Sequence, residues 1–424
     1  MLSKSCEISA MRPDGQAVSG APESLELRPD ERWPFYDEDE IAAVGAVLRS
    51  GAVNQWTGPD VLAFEEACSG RFGGGRAIAL ANGSVALELA LRAFGIGPGD
   101  EVIVSPRSFV ASASCVRLVG ATPVFADVDT DSGNITAATI APLLSERTRA
   151  VIPVHLAGWP ADIPAIMEIV RGRDIKVIED CAQAHGAEIA GESVGSFGDA
   201  AAFSFCQDKI ISTAGEGGLL TIKPEAAWAW AWAFKDHGKD FAKSTAPGDL
   251  GTFRWVHDNI GTNWRLPGPQ AAVGLIQLRK LDQWRSTRTR NAEIWAKSLR
   301  EVDGLRVPLP PSKSLRHAFY KLYFYIERGT DEEAAALRRE IHKRCAATGL
   351  RVFSGSCSEI YLEQAFSDLP LPQCPTARSL GARSLMVEVH PTLRPELLER
   401  RAARLAELAR QVLAGEAGTC CASL

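Results

Sequence analysis

The chain has 424 residues, of which 46% are hydrophobic, and its formal net charge is −6. A chain of this length and composition can bury a large core, and we expect two domains. The mild charge, with no basic run and no interleaving of basic and aromatic residues, argues against a nucleic acid partner. The ten cysteines include no CxxC pair, which is typical of reduced, packed thiols and argues against disulfides or a bound metal.

The first thirty residues are rich in Ser, Pro, Gly and Glu and lack the apolar core of a signal peptide. We therefore predict a disordered lead-in over residues 1–30 and a cytoplasmic protein. No apolar run approaches the ~20 residues of a membrane span, so no membrane association is expected.

Strand and helix patterns alternate through the first two thirds of the chain. Two helices, 40–50 and 60–72, come first and are joined by the loop 51–58. The predicted strands that follow are 77–81, 101–105, 123–128, 150–154, 175–179, 200–205 and 218–222, and helices at 84–94, 109–120, 136–144 and 161–172 separate the first five. Strands that are apolar on both faces and alternate with helices predict a mainly parallel sheet covered on both sides.

The remaining third predicts a second, smaller domain. A long helical pattern from 269 to about 302 leads into a strand at 322–327, a helix at 331–347, a strand at 384–389 and a helix at 395–413. We therefore predict an α/β fold with a mainly parallel seven-stranded sheet flanked by helices and a smaller C-terminal α+β domain. The predicted boundaries are 31–268 for the large domain, 269–416 for the bridging helix and small domain, and 417–424 for a tail.

Polar residues follow several predicted strands, and ligands of open parallel sheets bind at the carboxyl ends of strands. Gly83 and Ser84 follow the first strand, where the start of a helix can cradle a phosphate, with Ser84 as its N-cap. Asp180 follows the fifth strand, where a buried carboxylate needs a cation. An ordinary turn at Gly83 and a helix-capping role for Asp180 are the alternatives.

Lys209 follows the strand 200–205 and precedes the glycine-rich turn 215–218. A lysine amine attacks carbonyl groups when burial or a neighbouring positive charge lowers its pKa, although most lysines are solvated. Phe109 follows the second strand and could place its ring over a ligand. Asn263 and Arg265 precede the long helix and could reach an anion. Core packing and helix capping are the alternative roles of these three residues.

These features together describe a pocket for pyridoxal phosphate. Asp180 supplies a carboxylate that keeps the pyridine nitrogen protonated, Gly83 and Ser84 supply a phosphate cradle, and Phe109 supplies a stacking ring. Lys209 supplies an amine that holds the cofactor's aldehyde and then moves a proton as general base and acid.

From about residue 33 to residue 412, the chain resembles the DegT/StrS family of pyridoxal-phosphate-dependent nucleotide-sugar aminotransferases, in the fold type I (aspartate aminotransferase) superfamily. The resemblance rests on ordered motifs that include IALANGSVALELAL, VIEDCAQAHGA, FSFCQDKIISTAGEGG, GTNWRLPGPQAAVGLIQLRKLD and SGSCSEIY. It implies that Lys209 binds the cofactor covalently and that Asp180 pairs with the ring nitrogen. The other implied cofactor contacts are Gly83, Ser84, Phe109, Gln183, Ser204 and Asn263. Ser84 stands where the family usually has Thr, which keeps the hydroxyl group.

The resemblance also implies a homodimer whose active sites lie at the subunit interface. Asn263 would reach the phosphate in the neighbouring subunit, and the loop 55–58 would approach the substrate there. The residues that we expect to contact substrate are Trp56, Thr57, Arg265, His317, Tyr320 and Glu359.

The implied reaction moves an amino group from an amino acid, expected to be L-glutamate, to a keto group of a nucleotide-activated deoxysugar. Polysaccharide or glycosylated natural-product biosynthesis is the expected setting. One alternative is a dehydrating, ring-aromatising synthase of the same family. Another is a regulatory protein without catalysis, which loss of Lys209 or Asp180 would favour; both residues are present.

Overall fold

A computed structural model describes residues 25–247 and 253–415. The helices are α1 (Glu38–Ser50), α2 (Asp60–Phe72), α3 (Gly83–Ala93), α4 (Ala111–Leu118), α5 (Ala137–Ile140), α6 (Ile163–Val170), α7 (Glu225–Lys235), α8 (Phe241–Thr245), α9 (Gly268–Arg300), α10 (Asp331–Ala346), α11 (Pro375–Arg383) and α12 (Pro395–Leu413). Short 3-10 helices lie at Pro29–Glu31, Ala141–Leu143, Leu156–Gly158, Ile360–Leu362 and Gln364–Phe366. Most of the predicted lead-in and the whole predicted tail lie outside the described residues.

The strands are β1 (Arg76–Leu80), β2 (Glu101–Val104), β3 (Thr122–Phe125), β4 (Thr148–Ile152), β5 (Lys176–Asp180), β6 (Glu188–Ile189), β7 (Glu192–Ser193), β8 (Ala200–Ser204), β9 (Gly218–Ile222), β10 (Leu305–Arg306), β11 (Leu315–Arg316), β12 (Leu322–Ile326) and β13 (Ser384–Val387). Seven of them form one sheet in the order β1-β9-β8-β5-β4-β2-β3. These seven strands match the seven predicted apolar runs. The predicted fold class is therefore confirmed.

The central sheet is parallel from β3 through β8, whereas β9 runs antiparallel to both of its neighbours, β1 and β8. The reversal follows from the connection between β8 and β9, because a parallel pair needs a crossover helix and this connection has only a loop. That loop carries Lys209. The sheet therefore presents the lysine where its parallel strands end.

The smaller C-terminal α+β domain is built on an antiparallel sheet of order β10-β12-β13. Its apolar core joins these strands to α10, α12 and the end of α9. The long helix α9 also packs on α1 and α2 of the large domain, so one helix belongs to both cores. Among the described helices, none is long and apolar enough to cross a bilayer.

A buried carboxylate fixes the end of β5 against the turn that leads into β8. The Glu179 carboxylate accepts a hydrogen bond from Nε2 of His155 at 3.0 Å and others from the backbone N–H groups of Gly195, Phe197 and Gly198 at 2.8 to 2.9 Å. Burial by itself would raise the pKa of Glu179, but His155 and the N–H donors hold it below the usual value. The charged carboxylate therefore stabilises the register of β5 beside β8.

We expect Glu179→Gln to lower the free energy of unfolding by about 3 kcal/mol at neutral pH, because a buried charge network loses its centre. The pKa of Glu179 is lowered in the folded state, so its contribution is present above the unfolded pKa and is lost as the pH falls below about 4. The difference in the free energy of unfolding between wild type and variant should therefore become smaller below that pH. Urea unfolding measured from pH 7 to about pH 3 tests this, with Glu192→Gln on the exposed β7 as control. An equal loss from both variants would contradict the prediction.

Candidate active site

A cavity of about 600 Å³ lies beyond the carboxyl ends of the central strands. Seven of the predicted cofactor residues line it together, although they come from four separate stretches of the chain: Gly83, Ser84, Phe109, Asp180, Gln183, Ser204 and Lys209. The cavity is also lined by four residues for which the sequence predicted no role: Asn82, Ser112, Asp208 and Glu216.

The N-terminus of α3 forms one wall of the cavity. Asn82 has an extended backbone, and its side-chain oxygen accepts a hydrogen bond from the N–H of Val85 at 3.0 Å. Asn82 is therefore the N-cap, and the prediction that Ser84 caps this helix is wrong. Ser84 lies in the first turn instead. Residue type could not decide between the two positions, because asparagine caps a helix as well as serine does.

Gly83 lets α3 approach the end of β8 closely. A Cβ atom at this position would lie 2.7 Å from Cβ of Ser204 and 3.3 Å from the carbonyl oxygen of Phe203. A side chain therefore does not fit without movement of the strand. The close approach brings the hydroxyl of Ser204, the first-turn N–H groups and the positive end of the helix dipole to one place, and these groups together suit a phosphate.

Asp180 ends β5 and is 4% exposed. Its carboxylate accepts hydrogen bonds from the hydroxyl of Ser112 at 2.7 Å and from the N–H of Ala182 at 3.1 Å. Burial raises the pKa of Asp180, and these two donors and the charge of Lys209 oppose the rise. The Asp180 carboxylate is therefore suited to bind a proton or a protonated nitrogen in the cavity.

Gln183 is oriented by the backbone opposite. Its side-chain oxygen accepts a hydrogen bond from the N–H of Ala157 at 2.7 Å, which leaves its amide nitrogen as the donor available to a ligand. Phe109 is 65% exposed, so its ring stands in the cavity mouth and is not part of the core. Both positions agree with contacts to a planar cofactor.

Lys209 lies at the floor of the cavity with 14% of its side chain exposed. Its carbonyl oxygen accepts a hydrogen bond from the indole N–H of Trp33 at 2.8 Å. Its Nζ lies 3.7 Å from a carboxylate oxygen of Asp208 and 5.0 Å from the ring centre of Tyr320. His185 packs against the rings of Phe203 and Phe205 and does not line the cavity.

A second cluster gathers three of the predicted residues around the buried Asp236. This carboxylate accepts a hydrogen bond from the indole N–H of Trp56 at 2.8 Å and pairs with Arg265. Lys239 lies 3.3 Å away, and Asn263 pairs with Asp236 through a backbone bridge. The structure therefore places Trp56, Arg265 and Asn263 together, but outside the cavity wall.

The other predicted substrate residues also lie outside the cavity wall. His317 is buried, its Nδ1 accepts the N–H of Phe319 at 2.7 Å, and burial lowers its pKa to about 3. Glu359 accepts hydrogen bonds from Tyr361 at 2.6 Å and Arg378 at 3.1 Å. Thr57 bonds within its own turn. Tyr320 donates a hydrogen bond to Asp208 and so touches a residue of the wall.

Comparison with known proteins places this arrangement in one class. The model of the DegT/DnrJ/EryC1/StrS aminotransferase family matches residues 34–405. The X-ray structure of an aminotransferase from Psychrobacter cryohalolentis superposes with a TM-score of 0.84 at 43% identity, over 91% of this chain and 98% of that one.

Two curated relatives cover most of the chain as well. The UDP-N-acetyl-3-dehydro-alpha-D-glucosamine 3-aminotransferase of Acidithiobacillus ferrooxidans is 36% identical over 354 residues, which are 83% of this chain and 88% of that protein. The GDP-perosamine synthase of Caulobacter vibrioides is 34% identical over 349 residues, 81% of this chain and 89% of that protein.

The fold and site are therefore those of an aminotransferase that works with pyridoxal phosphate, as the sequence predicted. The chain belongs to the DegT/DnrJ/EryC1/StrS aminotransferase family. The predicted family, enzyme class and cofactor are confirmed. The roles of the individual residues stay predictions.

We expect Gly83→Ala to weaken the binding of pyridoxal phosphate by about tenfold or more, since the added methyl group separates α3 from β8 where the phosphate is expected. Gly70→Ala is the matched control, because it is also a helical glycine and a Cβ there meets nothing within 4 Å. Fluorescence titration of the cofactor-free proteins gives both affinities. Equal affinities for the two variants would show that the phosphate binds elsewhere.

Proposed function

We propose that this protein transfers an amino group from L-glutamate to a keto group of a nucleotide-activated deoxysugar. The observation that carries the proposal is that a lysine, a buried aspartate and a helix N-terminus suited to a phosphate line one cavity. The relatives named for UDP- and GDP-linked sugars support the acceptor class. Biosynthesis of a polysaccharide or of a glycosylated natural product is the proposed setting.

Each residue of the cavity has a distinct proposed task. Pyridoxal phosphate supplies an electron-withdrawing ring that lowers the barrier to removing the α-proton of an amino acid. The N-terminus of α3, with Ser84 and Ser204, holds the phosphate, and Phe109 covers the ring. Asp180 holds the ring nitrogen in its protonated form, because a buried carboxylate without a cation is costly.

Lys209 performs the proton transfer. Its amine would hold the cofactor and would serve in the cavity as the general base and acid that moves the proton. Gln183 would donate its free amide N–H to an oxygen of the cofactor. The same residues serve both half-reactions, first with glutamate and then with the ketosugar.

The charge of the cavity supports a homodimer with shared active sites. Lys209 faces three carboxylates in the cavity wall, those of Asp180, Asp208 and Glu216. The proposed substrates and cofactor all carry negative charge, so further cations are needed. Arg265 and Lys239, beside Asn263 in the Asp236 cluster, are suited to supply that charge to the neighbouring subunit's cavity.

An exposed apolar surface beside that cluster also supports a second copy as partner. Phe253, Trp255 and Ile260 are 72%, 83% and 91% exposed and lie close in sequence to Asn263. Apolar side chains this exposed and this close together usually mark an interface.

Seven cysteines of the described chain are free thiols, which supports the proposed cytoplasmic location.

Lys209→Ala should abolish transaminase activity and the visible absorbance that the bound cofactor shows in the wild type, since the covalent attachment and the proton carrier are both lost. Purified wild-type protein should be yellow. Absorbance spectra and 2-oxoglutarate release measure the two effects, with the exposed Lys223→Ala as control. Full glutamate-dependent activity in Lys209→Ala would refute the mechanism.

The acceptor can be identified by a screen of UDP-, dTDP- and GDP-linked ketosugars with glutamate, in which 2-oxoglutarate is the product measured. Turnover with one nucleotide series assigns the substrate class. Absence of turnover with every series would overturn the sugar-aminotransferase proposal.

Ile260→Glu should convert a dimer into a monomer and reduce activity by at least about tenfold, because a buried charge would oppose association and each site would lose its neighbour's residues. Light scattering after gel filtration measures the mass. Leu371→Glu is the control, since Leu371 is 69% exposed outside this surface. A fully active monomer would contradict the shared site.

A further inference from the structure

A hydrogen bond from the second domain reaches the residue next to Lys209. Tyr320 lies two residues before β12 and is 8% exposed, and its hydroxyl donates to the carboxylate of Asp208. Burial, followed by the charge of Asp208, raises the pKa of Tyr320 well above its usual value. The phenol therefore keeps its proton and remains the donor. A hydrogen bond to a carboxylate is among the stronger kinds in proteins.

Tyr320 is itself held in place on two sides. Its N–H donates to the carbonyl oxygen of Ala157 at 2.9 Å, and its own carbonyl accepts from Nη1 of Arg288 at 3.4 Å. Ala157 is also the residue whose N–H orients Gln183 in the cavity. These contacts hold Tyr320 in place between the two domains. From this position it can restrain the loop 205–217, the lysine loop, which carries Lys209.

The rest of the lysine loop is anchored through its backbone. The carbonyl oxygen of Lys209 accepts from Trp33, and the N–H of Ser212 donates to the side-chain oxygen of Gln277 on α9 at 2.8 Å. Gln207 and Asp208, which precede both anchors, are exposed. The contact with Tyr320 restrains the exposed part of the turn.

We propose that Tyr320, acting through Asp208, is a positioning residue that holds Lys209 toward the cofactor. The inference rests on the proposed function of Lys209. The alternative, a direct charge effect of Asp208 on the amine, is the weaker explanation, because the two groups are 3.7 Å apart and 51% of the Asp208 side chain is exposed. Water and salt screen such a pair strongly.

Three variants distinguish the Tyr320–Asp208 hydrogen bond, which we call the tether, from the charge of Asp208. Tyr320→Phe removes the hydroxyl and keeps the carboxylate. Asp208→Asn keeps an oxygen that accepts the hydroxyl and removes the charge, whereas Asp208→Ala removes both. The matched control is Tyr323→Phe, because the Tyr323 hydroxyl accepts the N–H of Ser356 at 2.7 Å within the second domain.

The measurement is the first-order rate constant with which the full-length, cofactor-free protein binds pyridoxal phosphate covalently. Absorbance after mixing gives the rate, and borohydride reduction followed by peptide mass spectrometry identifies the lysine. We expect Tyr320→Phe and Asp208→Ala to slow the reaction by about fivefold to tenfold, since a freer amine has a lower effective concentration at the aldehyde. Asp208→Asn should slow the reaction less than Asp208→Ala does, and Tyr323→Phe should react at the wild-type rate.

The possible failures are distinguishable. If the wild type does not bind the cofactor at Lys209, the proposed function itself is wrong. If the wild type does so and Tyr320→Phe and Asp208→Ala react at the wild-type rate, only the tether is wrong. If Asp208→Asn is as slow as Asp208→Ala, the charge is responsible and the tether is again overturned. Asp208 is exposed, so its variants remain informative should Tyr320→Phe be unstable.

Discussion

The site depends on the close packing of the α3 N-terminus against the end of β8. The approach is close because position 83 has no side chain and Ser204 fills the space. It places the first-turn N–H groups of α3 at the cavity that Lys209 and Asp180 also line. Widening this contact would separate the phosphate cradle from the residues on the neighbouring strands, so the other tasks of the cavity depend on it.

Charge is distributed unevenly between two places in the subunit. The cavity wall is rich in carboxylates, whereas the Asp236 cluster gathers Arg265 and Lys239 on a surface beside exposed apolar side chains. The proposed homodimer would bring the cations of the Asp236 cluster to a neighbouring cavity and would also cover the exposed apolar side chains.

The lysine loop is controlled from three directions. Trp33 holds its backbone from the N-terminal segment, Gln277 holds it from α9, and Tyr320, just before β12, contacts its exposed turn. Lys209 therefore sits at a junction of elements that are distant in sequence. The role proposed for Lys209 would need such restraint, because the reach of its amine is set by the backbone that carries it.

Much of the architecture was predictable from local patterns. The seven apolar runs became the seven strands, and α12 has the bounds that its periodicity predicts, because burial on both faces or along one stripe leaves a direct trace in sequence. The cavity residues at strand ends were predictable for a related reason: the carboxyl ends of parallel strands meet at one edge. The cap at Asn82 was not, since Asn82 and Ser84 are equally good caps by type and the backbone decides between them.

The sequence by itself determined the family, the cofactor class and the residues at the strand ends, because these depend on residue type and local order. Tertiary structure alone decided which side chains share a space. It moved Trp56, Arg265 and Asn263 away from the cavity to Asp236, buried His317 as a neutral residue, and brought Tyr320 to Asp208 across 112 positions. Contacts between distant segments leave no periodic trace in a single sequence, since either partner alone is compatible with many surroundings.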